Sequence, residues 1–210
     1  MRNANKDAIQ KTKVAIIGAG FGGLAMAIRL LQSQINDFVI LEKTNDVGGT
    51  WRENQYPGAA CDVQSHMYSL SFAPKTDWSK RYAEADEIFT YIQDITEQYK
   101  LKDYCKFNHE VTHAQFDENR NVWTVEFKDQ PTLEAQFVIF ASGPLHVPQI
   151  PHIKGIEKFK GKVFHSSKWE HDYDLSGKSV ASIGTGGSAI QYIPEIAPEV
   201  KQLYVFQRTA

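Results

Sequence analysis

Only two cysteines occur in the 210 residues, Cys61 and Cys105, 44 positions apart. That is neither a disulfide framework nor a CxxC redox pair, and nothing beside either thiol would activate it. No apolar run comes near the length that spans a bilayer. Residues 1–13 are polar and lack an apolar h-region, so no secretory signal is expected. A net charge of −2 gives no reason to expect nucleic acid or an anionic membrane as partner. His66, His109, His113, His146, His152 and His171 show no ligand spacing, and no metal site is expected. With 42% apolar and 23% charged residues, the composition is that of an ordinary globular protein. A cytoplasmic enzyme fits these absences, but none of them names a reaction.

What the sequence does hold is two glycine-rich turns. The first reads GxGxxG through Gly18, Gly20 and Gly23; the second reads GxGxxA through Gly184, Gly186 and Ala189. A β-branched run, residues 12–17, feeds the first turn, and Leu24, Ile28 and Leu31 follow at helical spacing. Residues 37–42 form a second buried strand that ends on Glu42, 19 residues after Gly23. This is a dinucleotide-binding βαβ unit. Gly18 permits the tight turn, Gly20 lets the backbone approach a pyrophosphate, and Gly23 lets helix and strand pack closely. Glu42 can accept from ribose hydroxyls and repel a 2′-phosphate, so this unit expects FAD or NAD.

Residues 178–183 form a strand into the second turn, and Ala189, Ile190 and Ile193 begin its helix, which Pro194 is expected to kink. Residues 202–206 are the next strand, followed by Gln207, Arg208 and Thr209 where the first unit carries Glu42. A cation there favours the 2′-phosphate of NADP. Between the units lie a Gly/Pro-rich stretch (46–72) with little periodicity, a helix over 84–100 with Ile88, Tyr91, Ile92, Ile95 and Tyr99 on one face, a hairpin around 117–121, and a buried strand at 137–141. The predicted class is α/β, with two Rossmann-like units, the second incomplete. The expected division is an FAD-binding domain at 1–147, a linker at 148–177, and the start of an NADP-binding domain at 178–210, in a chain read as the N-terminal part of a longer protein or as a truncated product.

These residues resemble the class B flavin-dependent monooxygenases, and among them the Baeyer–Villiger monooxygenases. The likeness is carried by GAGFGG at 18–23, GGTW at 48–51, YPGAACDV at 56–63, ASG at 141–143, GTGGSA at 184–189, and above all by residues 159–169, which match FxGxxxHxxxW. Trp169 favours the Baeyer–Villiger branch over N- and S-oxidising relatives; Glu170 departs from the usual Pro or Asp. The resemblance implies FAD in the first unit, NADPH in the second, and oxidation of a ketone by O2 to an ester or lactone through a flavin C4a-peroxide. It places Gly18, Gly20, Phe21, Gly23, Glu42, Lys43, Gly49, Thr50, Trp51, Tyr68 and Val111 around FAD. Asp62 would stand beside the flavin and orient an arginine that lies beyond residue 210. Gly184, Thr185, Gly186, Ser188, Ala189, Gln191, Arg208 and Thr209 would hold NADP, and His165 and Trp169 would join the domains.

Simpler roles stay open at this point: Asp62 capping its Pro-Gly turn, Trp51 in a core, Arg208 as a solvated cation, His165 as a structural histidine. So do three other outcomes, an N/S-oxidising monooxygenase, a flavin disulfide reductase (disfavoured without a close cysteine pair), and an inert fragment.

Overall fold

The computed structural model describes residues 10–145 and 147–208. In chain order the elements are β1 (Gln10–Ile17), α1 (Phe21–Gln32), β2 (Phe38–Leu41), α2 (Thr50–Glu53), α3 (Ala85–Gln98), β3 (Cys105–Lys106), β4 (Val111–Asp117), β5 (Val122–Phe127), β6 (Leu133–Phe140), β7 (Ser179–Ile183), α4 (Gly187–Ile196) and β8 (Gln202–Phe206). Two compact units contain them: Met1–Thr50 with Thr90–Pro144, and Trp51–Phe89 with Leu145–Ala210.

The first unit is built on a six-stranded sheet of order β3-β2-β1-β6-β5-β4. β3, β2, β1 and β6 run parallel, and β5 and β4 add antiparallel to β6. All four residues of β2 are buried, as expected of a parallel strand covered on both faces. On one face Leu24, Ala27 and Ile28 of α1 are fully buried, and Gly23 sits against Ile16. The opposite face carries Ala15, Val39, Leu41, Val125, Leu133 and Ala135. Each fully buried Leu or Ile contributes on the order of 1.5–3 kcal/mol, so these two layers hold the carboxyl ends of β1, β2 and β6 in register. The chain leaves those ends at Gly18, Glu42 and Ala141. The hairpin expected around 117–121 is present, with Asn121 in the left-handed region at φ 52°.

The second unit holds one βαβ, with β7 and β8 parallel and α4 between them. Ile183, Ile190, Tyr204, Val205 and Phe206 remain exposed there. α4 continues through Pro194 and ends two residues later, because a proline that close to a helix end removes little of the ladder. Residues 46–72 are more ordered than their lack of periodicity predicts. A 3-10 turn forms at Ser65–Met67, and the segment is pinned to residues 80–85: Cys61 N–H donates to Ala83 O (2.9 Å), Ala85 N–H to Ala59 O (2.8 Å), and Ser65 N–H to Arg81 O (2.8 Å). Non-local backbone bonds of this kind leave no periodic trace in a sequence.

Candidate functional site: two glycine turns

The three glycines of the first turn do different work. Gly18 has φ 106°, and a Cβ on it would lie 2.6 Å from Ala141 O; one on Gly23 would lie 1.9 Å from Gly18 O. The fold itself demands both. A Cβ on Gly20 meets only Gly49 Cα at 3.5 Å and Gly49 N at 4.0 Å, ordinary contacts. No packing among the described residues therefore requires glycine at position 20, which is what a cradle for a close-lying external group needs. Gly20 is also the N-cap of α1, and no side chain caps that helix. The amides of its first turn have no intrahelical acceptor, an arrangement suited to phosphate. Gly48 N–H donates to Ala19 O (3.0 Å), tying the 43–49 loop to the turn.

Glu42 is buried at 6% exposure. Its Oε2 accepts from Ala19 N–H at 2.9 Å, and its Oε1 accepts from Thr44 N–H at 2.9 Å and from the Thr44 hydroxyl at 2.8 Å. A carboxylate offers about four acceptor positions, so one on Oε2 is left unused among the described residues. These structural bonds are not foreseen in the sequence reading; Thr44, two residues on, is their trace there. Glu42→Gln is expected to destabilise the chain by roughly 1–3 kcal/mol, because either orientation of the amide sets an NH2 against Ala19 N–H or Thr44 N–H. Thermal melting of the parent and the variant checks this, and an unchanged Tm would refute it. Phe21 opens α1 and stands 6.0 Å from the Tyr91 ring. Lys43 is exposed beside Glu42, and Val111 begins β4 and packs on the core cluster.

Cys105 is pushed up from 9.0 to about 12, first by burial and then by the Glu42 charge. Its thiol therefore stays neutral in the folded chain. The unfolded thiol ionises above about pH 9 and the folded one only near 12, so this group lowers stability as pH rises through that window. Alkylation near neutral pH is expected to leave Cys105 unmodified in the native chain while labelling it in denaturant; equal labelling would contradict this. Burial also raises Cys61, and both cysteines are free.

In the second unit, Trp51 Nε1–H donates to Tyr68 OH at 3.0 Å with the rings edge-on at 5.6 Å. Burial raises the Tyr68 phenol, the bond from Trp51 offsets part of this, and the charges of Cys61 and Asp62 add to it. Asp62 is exposed and makes no hydrogen bond or ion pair among the described residues, so it does not cap its turn. Thr50 begins α2, and Gly49, with φ 53°, precedes it.

The second glycine turn repeats the first. Gly184 has φ 109° and its N–H donates to Phe206 O at 2.8 Å, as Gly18 N–H donates to Leu41 O at 2.8 Å. Gly186 is the N-cap of α4, with no side-chain cap, and a Cβ on Gly184, Gly186 or Gly187 would meet nothing within 4 Å among the described residues. Thr185 is exposed, Ser188 half-buried and Ala189 buried in the first turn of α4. The matching bonds align Leu41 with Phe206, and hence Glu42 with Gln207 and Lys43 with Arg208. Arg208 is exposed, one position past the acid's counterpart. Thr209 and His146 lie outside the described residues. Gln191, expected along the pyrophosphate, bonds residues 56–60: its Oε1 accepts from Tyr56 OH (2.9 Å) and Ala60 N–H (3.2 Å), and its Nε2–H donates to Ala60 O (2.9 Å).

The fingerprint segment packs onto α4 as well. Trp169 lies 5.3 Å from Tyr192 and 5.2 Å from Phe164, while Tyr192 is 6.2 Å from Tyr56. His165 Nδ1 accepts from Ser167 N–H at 3.1 Å and caps the 3-10 turn Ser166–Lys168. Glu170, the residue that departs from the fingerprint, pairs with Lys162. Among the described residues no group of His, Cys, Asp or Glu could hold a metal, and no helix is long and apolar enough to cross a membrane.

A βαβ with a glycine turn at a strand's carboxyl end, present twice, defines a protein of the two-dinucleotide class. The chain belongs to the pyridine nucleotide-disulphide oxidoreductase family, whose pattern matches residues 15–210. The chain is also similar to two proteins named Baeyer-Villiger monooxygenase. One, from Streptomyces coelicolor, is 48% identical over 95% of this chain, and the other, from Pseudomonas aeruginosa, is 48% identical over 96%. The chain spans 38% of the length of each. Among solved structures, an oxidized steroid monooxygenase bound to NADP superposes with a TM-score of 0.87 at 39% identity, covering 96% of this chain and 39% of that one. OTEMO in complex with FAD and NADP gives 0.88 at 36% identity, covering 94% and 39%. The resemblance read from the motifs is borne out.

Proposed function

We propose that this chain supplies the FAD site and part of the NADP site of a Baeyer–Villiger monooxygenase, which oxidises a ketone with NADPH and O2 to an ester or lactone. The functional division is 1–147 for FAD, 148–177 as linker and 178–210 for NADP. The carrying observation is that position 20 is glycine although nothing among the described residues excludes a Cβ there. When bound, FAD supplies the redox and oxygen chemistry and NADPH the hydride.

The chain's own residues do the rest. The α1 amides and Gly20 receive the FAD pyrophosphate, and the remaining Glu42 acceptor holds a ribose hydroxyl. Trp51 and Tyr68, locked together, present an apolar face with a fixed polar edge. Asp62, exposed and unpaired among the described residues, is available to orient a cation from outside this segment. Gly184, Gly186 and Ser188 receive the NADP pyrophosphate, and Arg208 meets its 2′-phosphate with no acid at position 207 to oppose it. Disulfide chemistry is disfavoured, because it needs a close thiol pair with thiolate character, and Cys61 and Cys105 are both raised.

The test is to reconstitute the purified chain with FAD and record its visible spectrum. A stoichiometric oxidised-flavin band supports the reading; a colourless chain in excess FAD overturns it. Oxidation of a cyclic ketone against oxidation of a thioether, assayed in a polypeptide of the relatives' length, separates Baeyer–Villiger from heteroatom chemistry.

A further inference from the structure

The Gln191 amide uses both of its ends on one short turn. Three hydrogen bonds join it to Tyr56 and Ala60, across 131 to 135 residues of sequence. The backbone approaches as closely as the side chains do. Gly58 has φ 73°, and a Cβ there would fall 2.9 Å from Gln191 O and 2.8 Å from Glu195 Cγ. Residues 56–60 thus lie directly on the second turn of α4. Two residues further along the same segment stands Asp62, and Cys61 between them is held by Ala83 O. On the helix side, Gln191 is three residues from Ser188 and four from Gly187, one helical turn from the amides that open α4. Ile190 N–H already bonds Gly186 O at 3.1 Å, so the end of the second glycine turn and Gln191 belong to one helical stretch.

We infer that Gln191 is a positioning residue: it fastens the segment carrying Asp62 to the helix opened by the second glycine turn, so that a dinucleotide ordering that turn also orders residues 56–62. This rests on the proposed NADP site. A glutamine suits the task because it presents an acceptor and a donor side by side, matching the N–H and C=O of a single residue, Ala60. An aliphatic side chain would leave both Ala60 groups without these partners, and a glutamate would turn an oxygen toward Ala60 O.

The test is hydrogen exchange read by mass spectrometry on the FAD-loaded chain, with and without NADP+, for the parent and for Gln191→Met. In the parent, NADP+ is expected to slow exchange in both the 184–191 and the 56–62 peptides. In Gln191→Met it is expected to slow only the former. Tyr56→Phe, which leaves both Ala60 bonds, should keep the response at 56–62. Should Gln191→Met fail to fold, the near-isosteric Gln191→Glu serves, with the same loss expected. An NADP+ response at 56–62 that survives in the Gln191 variant, or that is missing in the parent although 184–191 responds, overturns the coupling and leaves the proposed function standing. No response at 184–191 in the parent overturns the NADP site and the coupling together.

Discussion

Gly20→Ala is expected to fold with nearly the parent's Tm and to bind no stoichiometric FAD. The methyl group has room within the protein, since its nearest neighbour would be Gly49 Cα at 3.5 Å. It would protrude instead where a pyrophosphate must approach the α1 amides. Gly23→Ala is the contrasting variant. Its Cβ would sit 1.9 Å from the carbonyl oxygen of Gly18, and that backbone is held by Leu41 O, so α1 must move off β1. The cost is expected at the upper end of the roughly 1–3 kcal/mol typical of overpacking, or above it. The pair separates two meanings of one motif. A Gly20→Ala chain that retains stoichiometric flavin would show that the turn is only architectural. A Gly20→Ala chain that melts as early as Gly23→Ala would show that the space beside Gly20 is not there.

Arg208→Ala, made in a polypeptide of the relatives' length, is expected to weaken NADPH binding about ten- to a hundredfold while leaving NADH nearly unchanged. A charge-assisted hydrogen bond contributes roughly 1.5–3 kcal/mol, and each 1.4 kcal/mol is tenfold in affinity. The alignment of Glu42 with Gln207 adds a sharper expectation: Gln207→Glu restores the acid of the first unit and should shift preference toward NADH, by accepting from the 2′-hydroxyl and repelling the 2′-phosphate. Equal losses for both coenzymes in Arg208→Ala would mean that Arg208 is a solvated surface cation.

Much of this arrangement was legible in the residues, for identifiable reasons. A glycine turn between a β-branched strand and a helical stripe is a local pattern, and so is the hairpin around residues 117–121. Each needs only neighbours in the chain to form. The division of labour among Gly18, Gly20 and Gly23 was legible as a list of roles. That the fold demands Gly18 depends on Ala141, over a hundred residues away, whereas Gly23 is demanded by the backbone of Gly18 itself. Glu42 was found from its spacing, yet its bonds to Ala19 and Thr44 depend on the path of a loop. Gln191 was placed along a pyrophosphate by its position in the motif. Its partners, Tyr56 and Ala60, lie in a stretch whose order comes from long-range backbone bonds and not from periodicity. The sequence sets Gln207, Arg208 and Thr209 together where the first unit carries Glu42; the paired bonds from Gly18 and Gly184 narrow this, with Gln207 opposite Glu42 and Arg208 opposite Lys43.

Two separate dinucleotide pockets are the central claim, and titrating the FAD-loaded chain with NADP+ tests it most directly. Uptake of NADP+ with the flavin still bound, weakened in Arg208→Ala and unaffected by free adenine dinucleotides that lack a 2′-phosphate, is the expected result. Release of FAD in proportion to the NADP+ added would mean that the two compete for a single pocket, and would contradict it.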